Sequence, residues 1–307
     1  METVFYATAP IIIALLIGYL VGKNSPQKIL HCAGKLIGPL VWLLLLSIGV
    51  EFAQVFKDPA TVGKSIYLAS IFAILSTFTS CLLIYLYFYK YTRQAGSRAS
   101  AKGPATLLAP LKECALAFSM VVIGVLLSSS SLADTHIFDN IAVTDILLYS
   151  LVFFVGIDIV GVKITSAWCS IKVVVIPFLV IAGSLIGGLL ASFIAHESIN
   201  TSLALVSGFG WFTLSGVLVS SKLGAVYGTV ALLTDLFREL LAILLLYLLG
   251  HKFSRECIGA GAATTLDSTL PIIKQTCSSD NIPTALVSGF ILTLLAPVLI
   301  TFLLSVA

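Results

Sequence analysis

The chain has 307 residues, of which 59% are hydrophobic and 10% are charged, and its formal net charge is +3. Because a soluble globular domain carries roughly 25% charged residues, this composition excludes a soluble protein and predicts an all-α polytopic membrane protein embedded in the lipid bilayer. The six cysteines form no Cys-x-x-Cys pair, and no histidine spacing completes a metal site. We therefore expect no disulfide framework, no metal, no cofactor and no nucleic-acid partner.

Ten hydrophobic segments approach the roughly 20 apolar residues that a membrane-spanning helix needs. In chain order they cover residues 4–22, 36–56, 65–89, 111–128, 143–160, 173–195, 201–220, 226–249, 258–274 and 283–305. The segment 258–274 is short and polar, so it either spans the membrane or dips in and returns as a re-entrant hairpin. We expect a single transmembrane transport domain over 1–307, with broken or re-entrant segments in its C-terminal half.

Lysine and arginine side chains concentrate in the cytoplasmic loops of membrane proteins. If the N-terminus lies outside, the ten segments place 12 of the 17 basic residues in inner loops. This predicts that both termini lie outside, although Lys252 and Arg255 would then occupy an outer loop. If 258–274 only dips in and returns, the C-terminus would lie inside instead.

Two short motifs each occur twice in the chain, and the distance between the copies is nearly the same for both. Residues 16–20 resemble 122–126 at an offset of 106, and 47–51 resemble 154–158 at an offset of 107. The spacing predicts that 1–110 and 111–200 are inverted three-helix repeats, a common transporter plan, and that 201–307 carries the site. Chance similarity among apolar residues is the alternative. A sharper echo is the sequence Ala-Leu-Val-Ser-Gly-Phe, which occurs at 204–209 and again at 285–290.

Glycines and hydroxyl side chains interrupt one of the apolar segments. The stretch Ser207-Gly-Phe-Gly-Trp-Phe-Thr-Leu-Ser-Gly216 holds three glycines and three hydroxyls in ten residues. It is either a small-residue contact between helices or an unwound substrate site, in which the backbone at Gly208 and Gly210 meets a carboxylate. Trp211 could cover a cation through a cation–π contact, and Ser215 belongs to the same candidate site.

Three charged residues lie inside the apolar run 226–249. Asp235 and Arg238 are three positions apart, and Asp235 and Glu239 are four apart, so all three share one helix face. Asp235 and Arg238 can neutralise each other, which leaves Glu239 as the surplus negative charge. Because a charge at bilayer depth costs several kcal/mol, Glu239 is either a proton carrier or cation ligand, or part of a buried structural ion network.

A second candidate carboxylate follows a run of small residues. The sequence Thr265-Leu-Asp267-Ser268 precedes Pro271, which removes a backbone donor and disfavours continued helix. This pattern favours a broken segment lining a cavity, with Asp267 as a ligand and Thr265 and Ser268 beside it. The alternative is an extracellular loop in which Asp267 is solvated.

These motifs together resemble the LysO lysine exporter family of bacterial inner-membrane proteins. The matching sequences are Ser207-Gly-Phe-Gly-Trp211 with Leu214-Ser-Gly216, Asp235-Leu-x-Arg-Glu-Leu240, Gly261-Ala-x-Thr-x-x-Asp267-x-Thr-Leu-Pro271 and Gly289-Phe-Ile-Leu292. The resemblance implies export of L-lysine and of its analogues from the cytoplasm. It also implies that Glu239 and Asp267 are an essential intramembrane acidic pair, and it implies remote kinship with transporters built from inverted repeats and broken, crossing helices.

The hypothesis for the mechanism is lysine/proton antiport. Glu239 and Asp267 would balance the two ammonium groups of lysine, the backbone near Gly208, Gly210 and Gly261 would hold its carboxylate, and protons from outside would load the emptied site. A sodium/proton antiporter is the alternative function. An organic-anion carrier fits the paired acids poorly, and a membrane enzyme such as an intramembrane protease is not expected. The sequence leaves a homodimer open.

Overall fold

The computed structural model describes residues 13, 14, 16–56, 59–95, 116, 119, 120, 122–128, 141–160, 170–266 and 268–306. Within these residues the regular structure is helical, with no strand. The helices, numbered here in chain order, are α1 Gln27–Phe56, α2 Pro59–Ala95, α3 Ile141–Ile159, α4 Ile171–Ala195, α5 Ile199–Val206, α6 Phe212–Leu223, α7 Ala225–Leu249, α8 Ser254–Gly261, the 3₁₀ segment Ala262–Leu266, α9 Leu270–Thr276, the short 3₁₀ turn Ser279–Asn281, and α10 Ile282–Ser305. Residues 16–23 and 122–128 are also helical.

Three of these helices are long and apolar enough to cross a membrane. They cover Ala60–Tyr89 in α2, Ile171–Ala195 in α4 and Ile282–Ser305 in α10. The 25 residues of α7 make a helix about 37 Å long, which also exceeds the roughly 30 Å hydrocarbon core. The all-helical class and the membrane-length helices are confirmed. The count of ten segments stays a prediction, because 4–22 and 111–128 lie partly outside the described residues.

Small residues bring α2 and α4 into backbone contact. A Cβ atom built on Gly187 would lie 2.6 Å from the Ser76 Cα, and one built on Gly183 would overlap the Ser80 backbone. The Thr79 hydroxyl donates to the Gly183 carbonyl across this seam at 2.6 Å. In a bilayer, where apolar side chains gain little by leaving lipid, close backbone packing and interhelical hydrogen bonds hold helices together. This seam forms one wall of the core that surrounds α7.

Glycines also pair the helical segment 16–23 with α3, and 122–128 with α1. A Cβ atom on Gly18 would lie 3.2 Å from the Gly156 Cα, and one on Gly124 would lie 2.9 Å from the Gly49 Cα. The sequence motifs relate Gly18 to Gly124 and Gly49 to Gly156, so the two contacts are reciprocal. In both, the incoming glycine also lies against the carbonyl three residues before its partner. A duplicated unit produces such reciprocity, although the inverted repeat itself stays a prediction.

Helices α5 and α6 form a hairpin whose two ends lie together at the start of α7. The Tyr227 hydroxyl, in the first turn of α7, donates to Glu197 just before α5 at 2.7 Å. Helix α6 then runs antiparallel to α7, since a Cβ atom on Gly228 would lie 2.9 Å from the Gly216 carbonyl oxygen. A continuous span over 201–220 would separate Glu197 from Tyr227 by the bilayer thickness. That expected span is therefore wrong, and we name 199–223 the first hairpin, with 207–211 as its tip.

Helices α8 and α9 form a second hairpin at the other end of α7. The turn at Gly250 closes α7, and a Cβ atom there would lie 2.9 Å from the Thr276 hydroxyl oxygen at the end of α9. Leu246 shares an apolar cluster with Ile258 of α8 and Ile273 of α9. Residues 258–274 were expected either to span the membrane or to form a hairpin. The structure has the hairpin. We name 254–276 the second hairpin, with the 3₁₀ residues 262–266 in its tip.

The echo at 204–209 and 285–290 falls on unlike structures. The first copy ends α5 and enters the tip of the first hairpin, whereas the second lies inside the unbroken helix α10. The residues that follow explain the difference. Gly210 has a φ of +91°, a left-handed conformation that glycine adopts without strain, whereas the matching position in α10 is Ile291, which favours continued helix.

Candidate transport site

The two hairpin tips meet and their backbones are hydrogen-bonded to each other, a contact that we call the crossing. The Ala263 N–H donates to the Phe209 carbonyl at 3.0 Å. The chain reverses through left-handed residues on both sides of this contact, with φ of +53° at Phe209, +91° at Gly210 and +50° at Ala262. Non-glycine residues in this region cost free energy and persist where the surrounding structure fixes them. The surrounding structure therefore fixes the crossing, which lies beside the middle of α7.

Asp235 of α7 holds the tip of the first hairpin. Its side chain is 1% exposed, and its Oδ1 atom accepts the Gly210 N–H at 2.7 Å. A Cβ atom on Gly208 would overlap the same carboxylate, and the Ser215 side chain lies beside it. Because α6 begins at Phe212, the carboxylate faces the positive end of that helix dipole. The sequence hypothesis gave the Gly210 amide to a substrate carboxylate, but Asp235 occupies it.

Arg238 holds the second hairpin from the next turn of α7. This side chain is 1% exposed and donates from Nε to the Ala260 carbonyl at 3.3 Å and from Nη2 to the Gly259 carbonyl at 3.5 Å. Its Nη1 atom donates to the Ser184 hydroxyl of α4 at 2.8 Å. Ala260 and Gly259 lie in the last turn of α8, so the guanidinium faces the negative end of that helix dipole. Asp235 and Arg238 thus each have partners of their own, beyond neutralising each other.

Glu239 follows directly on the same helix and is 3% exposed. It lies one turn beyond Asp235 on α7, beside the level at which the hairpin tips cross. The second predicted carboxylate, Asp267, lies outside the described residues. Its chain neighbours are described: Leu266 ends the 3₁₀ segment of the second tip, and Ser268 is half-buried in the turn before α9.

Helix α10 supports the second tip. The Thr265 hydroxyl lies 2.8 Å from the Ala285 carbonyl oxygen of α10 and 2.7 Å from the Ala262 carbonyl oxygen. A Cβ atom on Gly289 would lie 2.6 Å from the Leu266 backbone nitrogen. Thr265 therefore helps to fix the tip, and its place among the substrate ligands stays a prediction. Trp211 is half-buried at the start of α6 and packs against the main apolar core, which fits packing better than a cation–π contact.

Sequence reasoning missed one buried acid, Glu256 in the first turn of α8. Its side chain is 7% exposed. It follows Lys252 and Arg255 in a segment that looked like a charged loop, and this context concealed it. The apolar run that begins one residue later, at Cys257, could have indicated that this acid is buried. It places Glu256 at the start of a membrane segment. Cys257, the next residue, is buried as well.

Membrane-length apolar helices, two broken hairpins that meet, and buried charges at their crossing define a multi-pass membrane transporter. The family profile described as "Lysine exporter LysO" matches residues 118–304. The Escherichia coli protein "Lysine exporter LysO" is 33% identical over 294 residues, which cover 95% of this chain and 97% of that protein. The chain belongs to the lysine exporter LysO family.

A shorter match has the same character. A Haemophilus influenzae protein described as a "Putative lysine exporter" is 34% identical over 157 residues, which cover 50% of this chain and 80% of that protein. No solved structure matches the chain significantly. The family is one of transporters and no enzyme family is indicated, so transport of an amino acid across a membrane is the activity class of the family.

Proposed function

We propose that the protein exports L-lysine, and its close analogues, from the bacterial cytoplasm across the cytoplasmic membrane in exchange for protons. The observation that carries the proposal is the match, over 95% of the chain, to a protein named as a lysine exporter. The buried carboxylate of Glu239 beside the crossing of the two hairpin tips supports it. A charge at this depth is retained where it binds an ion, a proton or a partner.

In this proposal Glu239 and Asp267 bind the substrate. Lysine carries two ammonium groups and one carboxylate at neutral pH, so two carboxylates balance its ammonium groups. When lysine leaves to the outside, protons take its place on the two acids. The neutral site then returns to the inside, where the protons are released and lysine binds again. Protonation also lowers the cost of moving the empty site through the membrane, because a neutral carboxyl is cheaper to bury than a carboxylate.

Asp235 and Arg238 have a different role in this proposal, since they position the hairpins and do not bind lysine. Asp235 accepts a backbone N–H of the first tip, and Arg238 donates to backbone carbonyls of the second. One turn of α7 therefore fixes both hairpins in register with Glu239. Gly208, Gly210 and Ser215 belong to this support, because they form or line the pocket for the Asp235 carboxylate.

The proposed topology has two hairpins that enter the membrane from opposite sides. Helices α5 and α8 are each about 12 Å long, which is less than half of the roughly 30 Å hydrocarbon core. With two segments re-entrant, an outside N-terminus still gives an outside C-terminus. Lys252 and Arg255 move to the inside and Lys222 moves to the outside, so 13 of the 17 basic residues face the cytoplasm. This improves the agreement with the positive-inside rule.

The duplicated N-terminal unit remains part of the proposal. The reciprocal contacts of Gly18 with Gly156 and of Gly124 with Gly49 support an inverted repeat over 1–110 and 111–200. In transporters such repeats often flank a site near the midplane. A homodimer is compatible with this arrangement.

The test is lysine-dependent proton movement in everted membrane vesicles, in which export appears as uptake. Respiration acidifies the vesicle interior, and a pH-sensitive dye reports the gradient. Addition of lysine should dissipate the gradient and load the vesicles with labelled lysine. If sodium dissipates the gradient and lysine does not, the protein is a sodium/proton antiporter and the proposal fails.

A further inference from the structure

Glu256 is the buried acid that the proposed mechanism leaves without a task. Its residue is 7% exposed, and its Oε1 atom has no hydrogen-bond partner among the described residues. An unpaired carboxylate oxygen in an apolar setting loses its water without compensation. Such a group is retained in membrane proteins mainly where it carries an ion or a proton.

The neighbours of Glu256 do not supply a counter-charge in contact with it. Arg255, the preceding residue, is near enough to act on Glu256 electrostatically, but its guanidinium carbon lies over the Phe88 ring, 4.7 Å from the ring centre. Cys81 of α2 donates to the Glu256 backbone carbonyl at 3.4 Å, and Cys257 donates to the Leu245 carbonyl at 3.4 Å. Within the described part of the chain, the titratable and charged groups that interact with this acid are Cys81 from α2, and Arg255 and Cys257 from its own helix.

The position of Glu256 links the inner surface to the site. Along α8 it lies three residues before Gly259, where Arg238 of α7 makes contact, so about one helical turn separates the acid from the hairpin anchor. On its other side the exposed residues His251 and Lys252 form the turn at the end of α7. In the proposed topology that turn faces the cytoplasm.

We propose that Glu256 is a proton-binding site on the cytoplasmic side of the transport site, through which protons leave the deeper carboxylates for the inner water. The step is a transfer of a proton from a protonated deep carboxyl, relayed by water between the two sites, to the Glu256 carboxylate, and then from Glu256 to the inner water. This inference rests on the proposed lysine/proton antiport. It concerns only the return of the protonated, lysine-free protein, because lysine exchange requires no net proton release.

The experiment compares two reactions of the purified, full-length protein in liposomes. Exchange of labelled for unlabelled lysine, at equal pH on both sides, reports the lysine-loaded half of the cycle. Net lysine transport driven by a pH gradient reports the whole cycle. Glu256→Gln keeps the size of the side chain, Glu256→Asp keeps the acid, and Asp280→Asn alters an exposed acid in the short turn after the second hairpin as a matched control.

Glu256→Gln should retain exchange within about twofold and lose net transport at least about tenfold, a gap of about 1.4 kcal/mol in the coupled step. Glu256→Asp should recover part of the net transport, and Asp280→Asn should match the wild type. The proposal is overturned if Glu256→Gln retains both reactions, or if it loses both equally while the protein is still inserted. Absence of lysine exchange in the wild type would instead refute lysine export itself.

Discussion

Asp235 and Arg238 lie one turn apart on α7 and hold opposite kinds of backbone group. The carboxylate takes an N–H where the helix α6 begins, and the guanidinium takes carbonyls where α8 ends. Each charge therefore meets a helix terminus of opposite sign, which lowers the cost of burial without a mobile ion. The sequence predicted that these charges share a face with Glu239. It could not predict their partners, because these come from chain segments more than 20 residues away.

Replacement of Asp235 separates positioning from proton binding. Asp235→Asn keeps a carbonyl oxygen that can accept the Gly210 N–H, so we expect most of the lysine export to remain. Asp235→Ala leaves that N–H buried and unpaired, at a cost of about 1–3 kcal/mol, and should reduce export about tenfold or more. Lysine efflux, normalised to membrane expression, measures both. Complete loss in Asp235→Asn at normal expression would show that the charge itself is required for transport.

Replacement of Arg238 tests the second anchor. A lysine side chain at position 238 would present one compact ammonium group. That group cannot reach Ser184 and two successive carbonyls in the way that the planar guanidinium does. We therefore expect Arg238→Lys to raise the lysine concentration needed for half-maximal export or to lower the maximal rate, although the charge is preserved. Ser184→Ala removes one of the three contacts and should cause a smaller loss. Wild-type kinetics in Arg238→Lys would contradict a geometric role.

At the scale of elements, the two hairpins explain why hydropathy alone misjudged the topology. A hydrophobicity pattern reports how many apolar residues are embedded, not whether the chain turns back. The first hairpin is embedded over both of its helices, so residues 201–220 read as one span. The glycine-rich sequence had a break at the tip as one of its two interpretations, and Pro271 with the preceding small residues favoured the second break. The return of each hairpin is set by contacts with α7, which no local signal encodes.

A designed disulfide tests the crossing of the tips. Phe209 and Ala263 share a backbone hydrogen bond, so we expect cysteines at these positions to come within the Cα separations that a disulfide accepts, about 4.4–6.8 Å. In a variant without its native cysteines, Phe209→Cys with Ala263→Cys should cross-link under mild oxidation and arrest export. Reduction should restore export. Each single-cysteine variant serves as the control, and failure of the pair to cross-link would place the tips apart.

The tip of the first hairpin packs closely against α7 at Gly208. Gly208→Ala adds a methyl group where the Asp235 carboxylate lies, so the tip must shift and export should fall strongly. Gly63→Ala in α2 is the matched control, because a Cβ atom there would have no heavy atom within 4 Å. Lysine efflux and membrane expression are measured for both. Equal export in the two variants would show that the tip has room that the contacts do not indicate.

In the whole molecule, the proposed topology has the ends of the two hairpins on opposite membrane faces. Cysteines substituted one at a time for Ser198 and Lys222 should react with an impermeant thiol reagent from outside, in a variant without native cysteines. Cysteines at Lys252 and Lys274 should react only from inside. Labelling of Ser198 and Lys222 from opposite sides would restore a full span over 201–220 and remove the first hairpin.

The sequence was sufficient to predict the class of the molecule and its family. The composition indicates a membrane protein, and the spaced motifs indicate the family. The reciprocal glycine contacts in the N-terminal half match the short repeats that were read from the chain. The second echo does not mark equivalent structures, since the residue after each copy differs: Gly210 permits a turn, whereas Ile291 continues the helix. The same six-residue sequence therefore leads into a hairpin tip at 204–209 and lies within the helix α10 at 285–290.

The most direct test of the account is efflux of labelled lysine from cells that lack their own exporter. The wild type is compared with Glu239→Gln and Asp267→Asn, and with Asp280→Asn as a surface control, at matched membrane expression. We expect rapid lysine loss in the wild type and in the control, and retention of lysine in both site variants. Normal efflux in Glu239→Gln and Asp267→Asn would contradict the carboxylate site, and retention of lysine by the expressed wild type would contradict lysine export.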